Sequence, residues 1–413
     1  MLPLDRLLAD AVARQDLPFA VAMVANRNGV VWRGSAGQAT PSRAAAPDTL
    51  FRIFSMTKGI GSLAALILVD RGLLSLETRV ASVLPEFSDI QVLESISRDG
   101  LVLRPPRRPV TLRHLLTHTA GFAYGTWNTN QAAYHEFTGM PHVLTGTLAS
   151  LYYPLHFDPG EDFSYGIGLD WAGRVIERID GRRIDHFCQE EIFRPLGMVD
   201  TAFEPEAAAR DRLADLKARG EDGQFAVTEL SPTRYPEFYG LGGSLYSTAP
   251  DFIRFMRMVL NRGELDGQRM ISPETIELMT VNQIGEMSVP VMKPVVPWRS
   301  ADVDFFPGTR MTHTIGFFRN EADIPGMRSA GSLTWAGAAN THYWIDPVND
   351  VAAVLMTQSF PFLEPRFMDT YTAYERAVYQ HLAESAKPSP ANTAAKVADV
   401  LGRRRPGVRC RDT

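Results

Sequence analysis

Cysteine is nearly missing from this chain of 413 residues, which has only Cys188 and Cys410. So few thiols exclude a disulfide framework and a cysteine-rich metal site, and they fit a reducing compartment. Long apolar runs are missing too. The longest, such as Leu63 to Val69, fall far short of the roughly 18 residues that span a bilayer. The leucines of the first ten residues are interrupted by Asp5 and Arg6, so no export signal is visible. These absences predict a cytoplasmic protein with no membrane partner. There is no G-x-S-x-G, the nucleophile elbow of α/β-hydrolases, and no G-x-x-x-x-G-K or G-x-G-x-x-G to cradle phosphates, so no cofactor is expected. His114 and His118 have the i, i+4 spacing of a zinc pair, but Leu-Leu-Thr lies between them with no H-E-x-x-H glutamate. They read as structural histidines, and no metal is expected. Positive charge in excess is absent as well: the formal charge is −5, and five arginines against one aspartate crowd into residues 401–413, leaving the body more acidic still. Such a body is not a nucleic-acid binder, and the basic end reads as a solvated terminus without a role.

What is present is ordinary in composition: 45% hydrophobic, 22% charged and 10% aromatic residues, the averages of a folded globular protein. The length allows two or three domains, or one large enzyme body with an inserted lobe. Leu4 to Arg14 has helical spacing, and Phe19–Ala25 and Val30–Trp32 flank Asn-Arg-Asn-Gly as two strands of a hairpin. Thr341–Ile345 and Val351–Met356 flank Asp-Pro-Val-Asn-Asp as a second hairpin, followed by a helix over Phe367–Glu384. Between the hairpins, helix signals dominate at 112–116, 169–178, 184–193 and 250–260. This predicts an α+β fold, with an antiparallel sheet flanked by helices and a mostly helical second lobe. The expected boundaries are 1–75 plus 235–384 for the discontinuous α/β lobe, 76–234 for the helical lobe, and 385–413 for a mobile tail. Residues 285–314 scatter four prolines among Trp298, Phe305 and Phe306 without a period. Their aromatics favour a loop folded over a pocket.

The sharpest local signal is Ser55-Met-Thr-Lys58 at the head of an apolar helix, where one of only five lysines completes an S-x-x-K. Residues i and i+3 share a helix face, so the Lys58 amine can reach the Ser55 hydroxyl. A serine is a poor nucleophile until a base takes its proton, and lysine is a base only when its pKa is depressed. A shift from about 10.4 to about 7 requires roughly 4 to 5 kcal/mol of differential environment, which a dry site alone supplies. The motif is short, and Ser55 could equally cap a helix with Lys58 as an ordinary first-turn residue. Tyr165 closes Pro159-Gly-Glu-Asp-Phe-Ser-Tyr165 just before a helix. Taken alone it reads as a packing tyrosine. Beside an ammonium its phenol would fall in pKa and share protons with Ser55 and Lys58. Trp335-Ala336-Gly337-Ala338 leads into the second hairpin, and its small residues leave backbone N–H groups approachable by a developing oxyanion. A strand with a packing bulge accounts for them equally well.

Together with His118-Thr-Ala-Gly121, these motifs, in this order, resemble the serine-reactive proteins of the class C β-lactamase fold, and among them best the family VIII carboxylesterases. Asp-Thr-Leu-Phe-Arg at 48–52, Glu177-Arg-Ile-Asp-Gly, Pro195-Leu-Gly-Met and the run Gly242–Ala249 extend the likeness over roughly residues 5–380. The resemblance implies a β-lactamase/transpeptidase-like fold and a serine esterase acting on small to medium carboxylic esters through an acyl-enzyme. It implies Ser55 as nucleophile, Lys58 and Tyr165 as the proton-transferring pair, the Ser55 and Ala338 amides as oxyanion hole, and Tyr124, Trp335, Ala336 and Gly337 around the substrate. β-Lactamases of this type carry Tyr-Ser-Asn where this chain has Tyr165-Gly166-Ile167, and Lys-Thr-Gly where it has Trp335-Ala336-Gly337. Both departures remove polar groups that would hold a β-lactam. The esterases more often carry Trp-Gly-Gly, so Ala336 adds a methyl. The run Tyr165-Gly-x-x-Leu-Asp-Trp-Ala-Gly is also similar to that of fungal statin acyltransferases. An acyltransferase, a weak β-lactamase, and a non-catalytic binding protein of the same fold therefore remain alternatives.

Overall fold

The computed structural model describes residues 3–97 and 100–385. Its centre is an eight-stranded sheet. In chain order the strands are β1 (Phe19–Ala25), β2 (Val30–Thr40), β3 (Arg43–Ala44), β4 (Met311–His313), β5 (Phe318–Asn320), β6 (Leu333–Gly337), β7 (Thr341–Asp346) and β8 (Val351–Met356). They lie in the order β4-β5-β6-β7-β8-β1-β2-β3, and every neighbouring pair is antiparallel. The first and last strands of the sheet in chain order thus pair at its middle, with Val21 opposite Met356 and Ala25 opposite Ala352.

Every residue of β1 is buried, because both faces of the sheet are covered. Alternation along the strand divides its side chains between two cores. Ala20, Ala22 and Val24 pack with Leu4 and Leu8 of helix α1 (Pro3–Ala13) and Tyr371 and Tyr374 of helix α5 (Pro365–Ser385). Phe19, Val21 and Met23 pack in the larger core with helix α2 (Thr57–Asp70), helix α3 (Gly168–Asp180) and helix α4 (Ala249–Leu260). Helix α2 is buried at every position from Thr57 to Leu68, which explains why its sequence shows no polar face.

The antiparallel sheet, both hairpins and the terminal helix agree with the reading of the sequence. Three features differ. Strand β2 continues past Trp32 to Thr40 through Gly34, Ser35 and Gly37, poor strand formers, because pairing with buried β1 overrides local propensity. The middle of the chain contains an unforeseen hairpin, Val92–Ser97 with Gly100–Arg104, whose residues are largely solvated and so lack an apolar alternation. The irregular stretch 285–314 ends in edge strand β4, too short for a period to show. Of the expected tail, residues 386–413, with the basic cluster and Cys410, lie outside the described residues.

Helix α5 is tied to the body by Arg328, whose Nε and Nη2 both donate to the Glu375 carboxylate at 2.8 and 2.6 Å, with Nη2 also donating to the Tyr371 hydroxyl. Arg328 is 0% and Glu375 1% exposed. Removing one member of such a pair strands a buried charge, whereas replacing both by apolar groups is nearly neutral. Glu375→Leu is therefore expected to lose about 3–5 kcal/mol of stability, and Arg328→Met/Glu375→Leu to recover most of it, as read from urea denaturation.

Candidate active site

The chain before helix α2 is shaped to present Ser55. Phe51–Arg52 pairs with Tyr246–Ser247, and the Ile53 amide donates to the Leu245 carbonyl at 3.1 Å. Phe54 then takes a positive φ of 41°, an unfavourable backbone for an aromatic residue that turns the chain sharply into the helix. On the other side, β6 presses against this turn. A Cβ at Gly337 would meet the Ile53 carbonyl oxygen at 2.3 Å. The glycine sequence suggested as an open approach for substrate is thus filled by the protein's own backbone.

Lys58 is 2% exposed. Its Nζ lies 3.2 Å from Ser55 Oγ, 3.3 Å from the Tyr124 hydroxyl and 2.6 Å from the Gly242 carbonyl oxygen. A neutral amine has two N–H donors and one lone pair. It can donate to Gly242 and Tyr124 and accept from the serine hydroxyl. Burial pushes the Lys58 pKa down to about 7, against the opposing pull of Asp170. Asp170 in α3 is itself raised by burial, with Lys58 holding it back. Its Oδ1 accepts from the Gly242 amide at 2.8 Å, and its Oδ2 is buried without a partner.

Tyr165 comes to the site on a loop zipped to residues 118–124. The Ser164 amide donates to the His118 carbonyl and the Tyr124 amide to the Tyr165 carbonyl. A Cβ at position 166 would sit 2.4 Å from the Phe122 carbonyl oxygen, so Gly166 permits this contact. The Tyr165 hydroxyl bonds Ser55 and accepts the Trp335 indole N–H at 2.8 Å. Two expectations are corrected here. Burial raises the Tyr165 pKa above the ordinary range, so the phenol keeps its proton instead of ionising beside a cation. Trp335 is 3% exposed and stands behind Tyr165. It is a hydrogen-bond donor to the phenol, not an apolar wall for substrate.

A cavity of about 120 Å³ opens over Ser55 and is lined also by Tyr124, Tyr165, Asp170 and Ala338. Trp335, Ala336 and Gly337 are not among its lining residues. Ala336 and Gly337 are buried within the sheet. The expected grouping of Ser55, Lys58, Tyr165, Tyr124 and Ala338 is therefore one cluster in space, while the three preceding residues of β6 support it from behind. Segment 285–314 does reach the cavity, through Trp298 and Arg299. His114 and His118 do not share a helix face, since that helix ends at Leu116 and His118 has a φ of 60°. Nδ1 of His114 accepts from the Thr111 amide, and Nδ1 of His118 accepts from the Gly166 amide. Among the described residues no cluster of His, Cys, Asp and Glu could hold a metal ion.

This geometry has known relatives. The beta-lactamase family profile matches residues 4–377. The chain belongs to the beta-lactamase family. The lovastatin esterase of Penicillium rubens is 31% identical over 321 residues, 74% of this chain and 79% of that protein. Monacolin J acid methylbutanoyltransferase of Aspergillus terreus is 28% identical over 404 residues, covering 89% and 93% of the two chains. The structure of unliganded simvastatin synthase from Aspergillus terreus superposes with a TM-score of 0.80 at 26% identity, covering 92% of this chain and 97% of that one. The fold is thus the β-lactamase/transpeptidase-like one, and the coarse assignment is a beta-lactamase-family serine hydrolase or acyl-transferring enzyme. No helix among the described residues is long and apolar enough to cross a membrane.

Sequence reasoning missed Asp170 in this beta-lactamase-family site. The available signal was an acid between Leu169 and Trp171, on a helix turn that is otherwise apolar. Lys58 acts as a base only when neutral, so kcat/KM is expected to rise with pH through its depressed pKa and to be lost below it. Removing the neighbouring negative charge lowers that pKa further. Asp170→Asn is therefore expected to move the acid limb of kcat/KM to lower pH, as measured by a pH–rate profile. A shift upward would contradict the arrangement.

Proposed function

We propose that the protein is a serine esterase of the family VIII carboxylesterase type, which hydrolyses small to medium carboxylic esters through an acyl-enzyme on Ser55. The observation that carries this reading is a desolvated Lys58 amine within hydrogen-bond reach of the Ser55 hydroxyl. Ser55 Oγ attacks the ester carbonyl while its proton passes to Lys58 Nζ. The Ser55 and Ala338 amides receive the oxyanion. The Tyr165 phenol, kept protonated by burial, hands its proton to the departing alkoxide and is replenished from Lys58. Water then attacks the acyl-enzyme by the same proton path in reverse, releasing the acid and restoring Ser55.

Two alternatives differ in the acceptor and the substrate. The relatives' names include both an esterase and methylbutanoyltransferases, which supports transfer to an alcohol as a second reading. A weak β-lactamase is less well supported, because the hydrogen-bond donor on β6, the Trp335 indole, is engaged by Tyr165. A binding protein without chemistry would have no need for a buried, depressed lysine beside the serine.

Labelling with a fluorophosphonate and peptide mapping is expected to place the adduct on Ser55. Ser55→Ala is expected to abolish p-nitrophenyl butyrate hydrolysis, and residual activity above about a tenth of wild type would put the nucleophile elsewhere. Lys58→Ala and Tyr165→Phe are each expected to lower kcat at least about a hundredfold, and the double variant to lose less than the product of the two, since they share one proton path.

A further inference from the structure

Arg299 is an arginine facing the cavity with no acidic partner among the described residues. It lines the same cavity as Ser55, its Nε is buried without a hydrogen-bond partner, and its guanidinium lies over the Trp298 ring at 4.9 Å. The acid lining the cavity, Asp170, is engaged with the Gly242 amide and lies beside Lys58. Arg52, just before the nucleophile turn, is by contrast consumed by the Ser231 hydroxyl and the Ala214 carbonyl.

The backbone that carries Arg299 is fixed on both sides. The Val295 amide donates to the Thr126 carbonyl at 2.7 Å, the Trp127 indole to the Ser300 hydroxyl at 3.1 Å, and the Phe362 amide to the Arg299 carbonyl at 2.9 Å. His142 also lines the cavity, and burial together with the Arg299 charge keeps its ring neutral, lowered to about 4. Because His142 Nδ1 accepts the Leu144 amide, its proton is assigned to Nε2, a second donor at this end of the cavity. A half-buried guanidinium without a counter-ion is costly, and its planar fork matches a carboxylate. Trp127, Leu144 and Phe362 give the same cavity apolar wall.

We propose that the cavity selects esters bearing a carboxylate remote from the scissile bond, held by Arg299, with an apolar segment between the two. This rests on Ser55 being the acyl-transferring nucleophile. The anion contact missing from β6 is supplied by the 285–314 segment.

The carboxylate is carried either on the acyl chain or on the alcohol, and two substrate pairs separate these. One compares the p-nitrophenyl monoester of adipate with p-nitrophenyl hexanoate. The other compares 4-(hexanoyloxy)butanoate with butyl hexanoate. In one pair wild type is expected to favour the anionic member by at least about tenfold in kcat/KM, the scale of a charge-assisted hydrogen bond. Arg299→Gln is expected to bring that ratio to about one and Arg299→Lys to an intermediate value. Lys293→Gln, an exposed cation of the same segment paired with Asp302, is expected to retain the wild-type ratio. Each ratio is internal to one protein, so a general loss of folded enzyme does not mimic the result. No preference in either pair, or one that survives Arg299→Gln, overturns the proposal. If wild type turns over none of the four esters, the Ser55 reading fails instead, and the ratio of their dissociation constants, measured by tryptophan fluorescence on wild type and Arg299→Gln, still decides the role of Arg299.

Discussion

An amine kept out of water is the constraint on which the rest of the site depends. Each pKa unit by which Lys58 is depressed corresponds to about 1.4 kcal/mol of preference for its neutral form, and only burial supplies that preference here, since Asp170 acts in the opposite sense. Helix α2 must therefore be kept from water around its whole circumference, and it is buried at every position from Thr57 to Leu68. Helix α3 packs against it, and Phe255 of helix α4 and Phe317 close on its Gly59. The large core and the proposed base are thus aspects of one arrangement: loosening the packing around α2 would admit water to the amine and return its proton.

The second arrangement is the replacement of charge by hydrogen bonds around Tyr165. Where β-lactamases of this fold type carry a lysine on β6, this chain has Trp335, whose indole N–H donates to the phenol oxygen. A neutral donor steadies the hydroxyl, and its small pull toward phenolate is outweighed by burial. Burial then keeps the phenol protonated, which suits a group that gives a proton to a leaving alkoxide. Gly166 and Gly337 serve the same end by letting backbone segments meet where a Cβ would collide.

The proposed chemistry and the proposed selection are built on different parts of the fold. Ser55, Lys58 and Asp170 sit on or beside helices locked into the core, whereas Trp298 and Arg299 come from an irregular segment pinned by a few backbone bonds. Loops of this kind can change composition without disturbing the sheet. In a family whose relatives include both an esterase and acyltransferases, such a division lets the acyl acceptor vary while the acylation machinery stays in place.

The sequence by itself determined what depends on short spacing. The unbroken apolar runs Phe19–Ala25 and Val351–Met356 specified strands, and the i, i+3 interval specified that Ser55 and Lys58 would meet. Turn residues specified both hairpins. It left β2 short at Trp32 and concealed the Val92–Arg104 hairpin, because partner strands and not local propensity form those elements. The tertiary structure alone decided that Asp170 lies beside Lys58, that Trp335 serves Tyr165 instead of the substrate, and that Arg299 faces the cavity without a counter-ion among the described residues. These are relations between residues more than a hundred positions apart, and the charge state of each group depends on how completely the intervening packing removes water, a quantity no local pattern records.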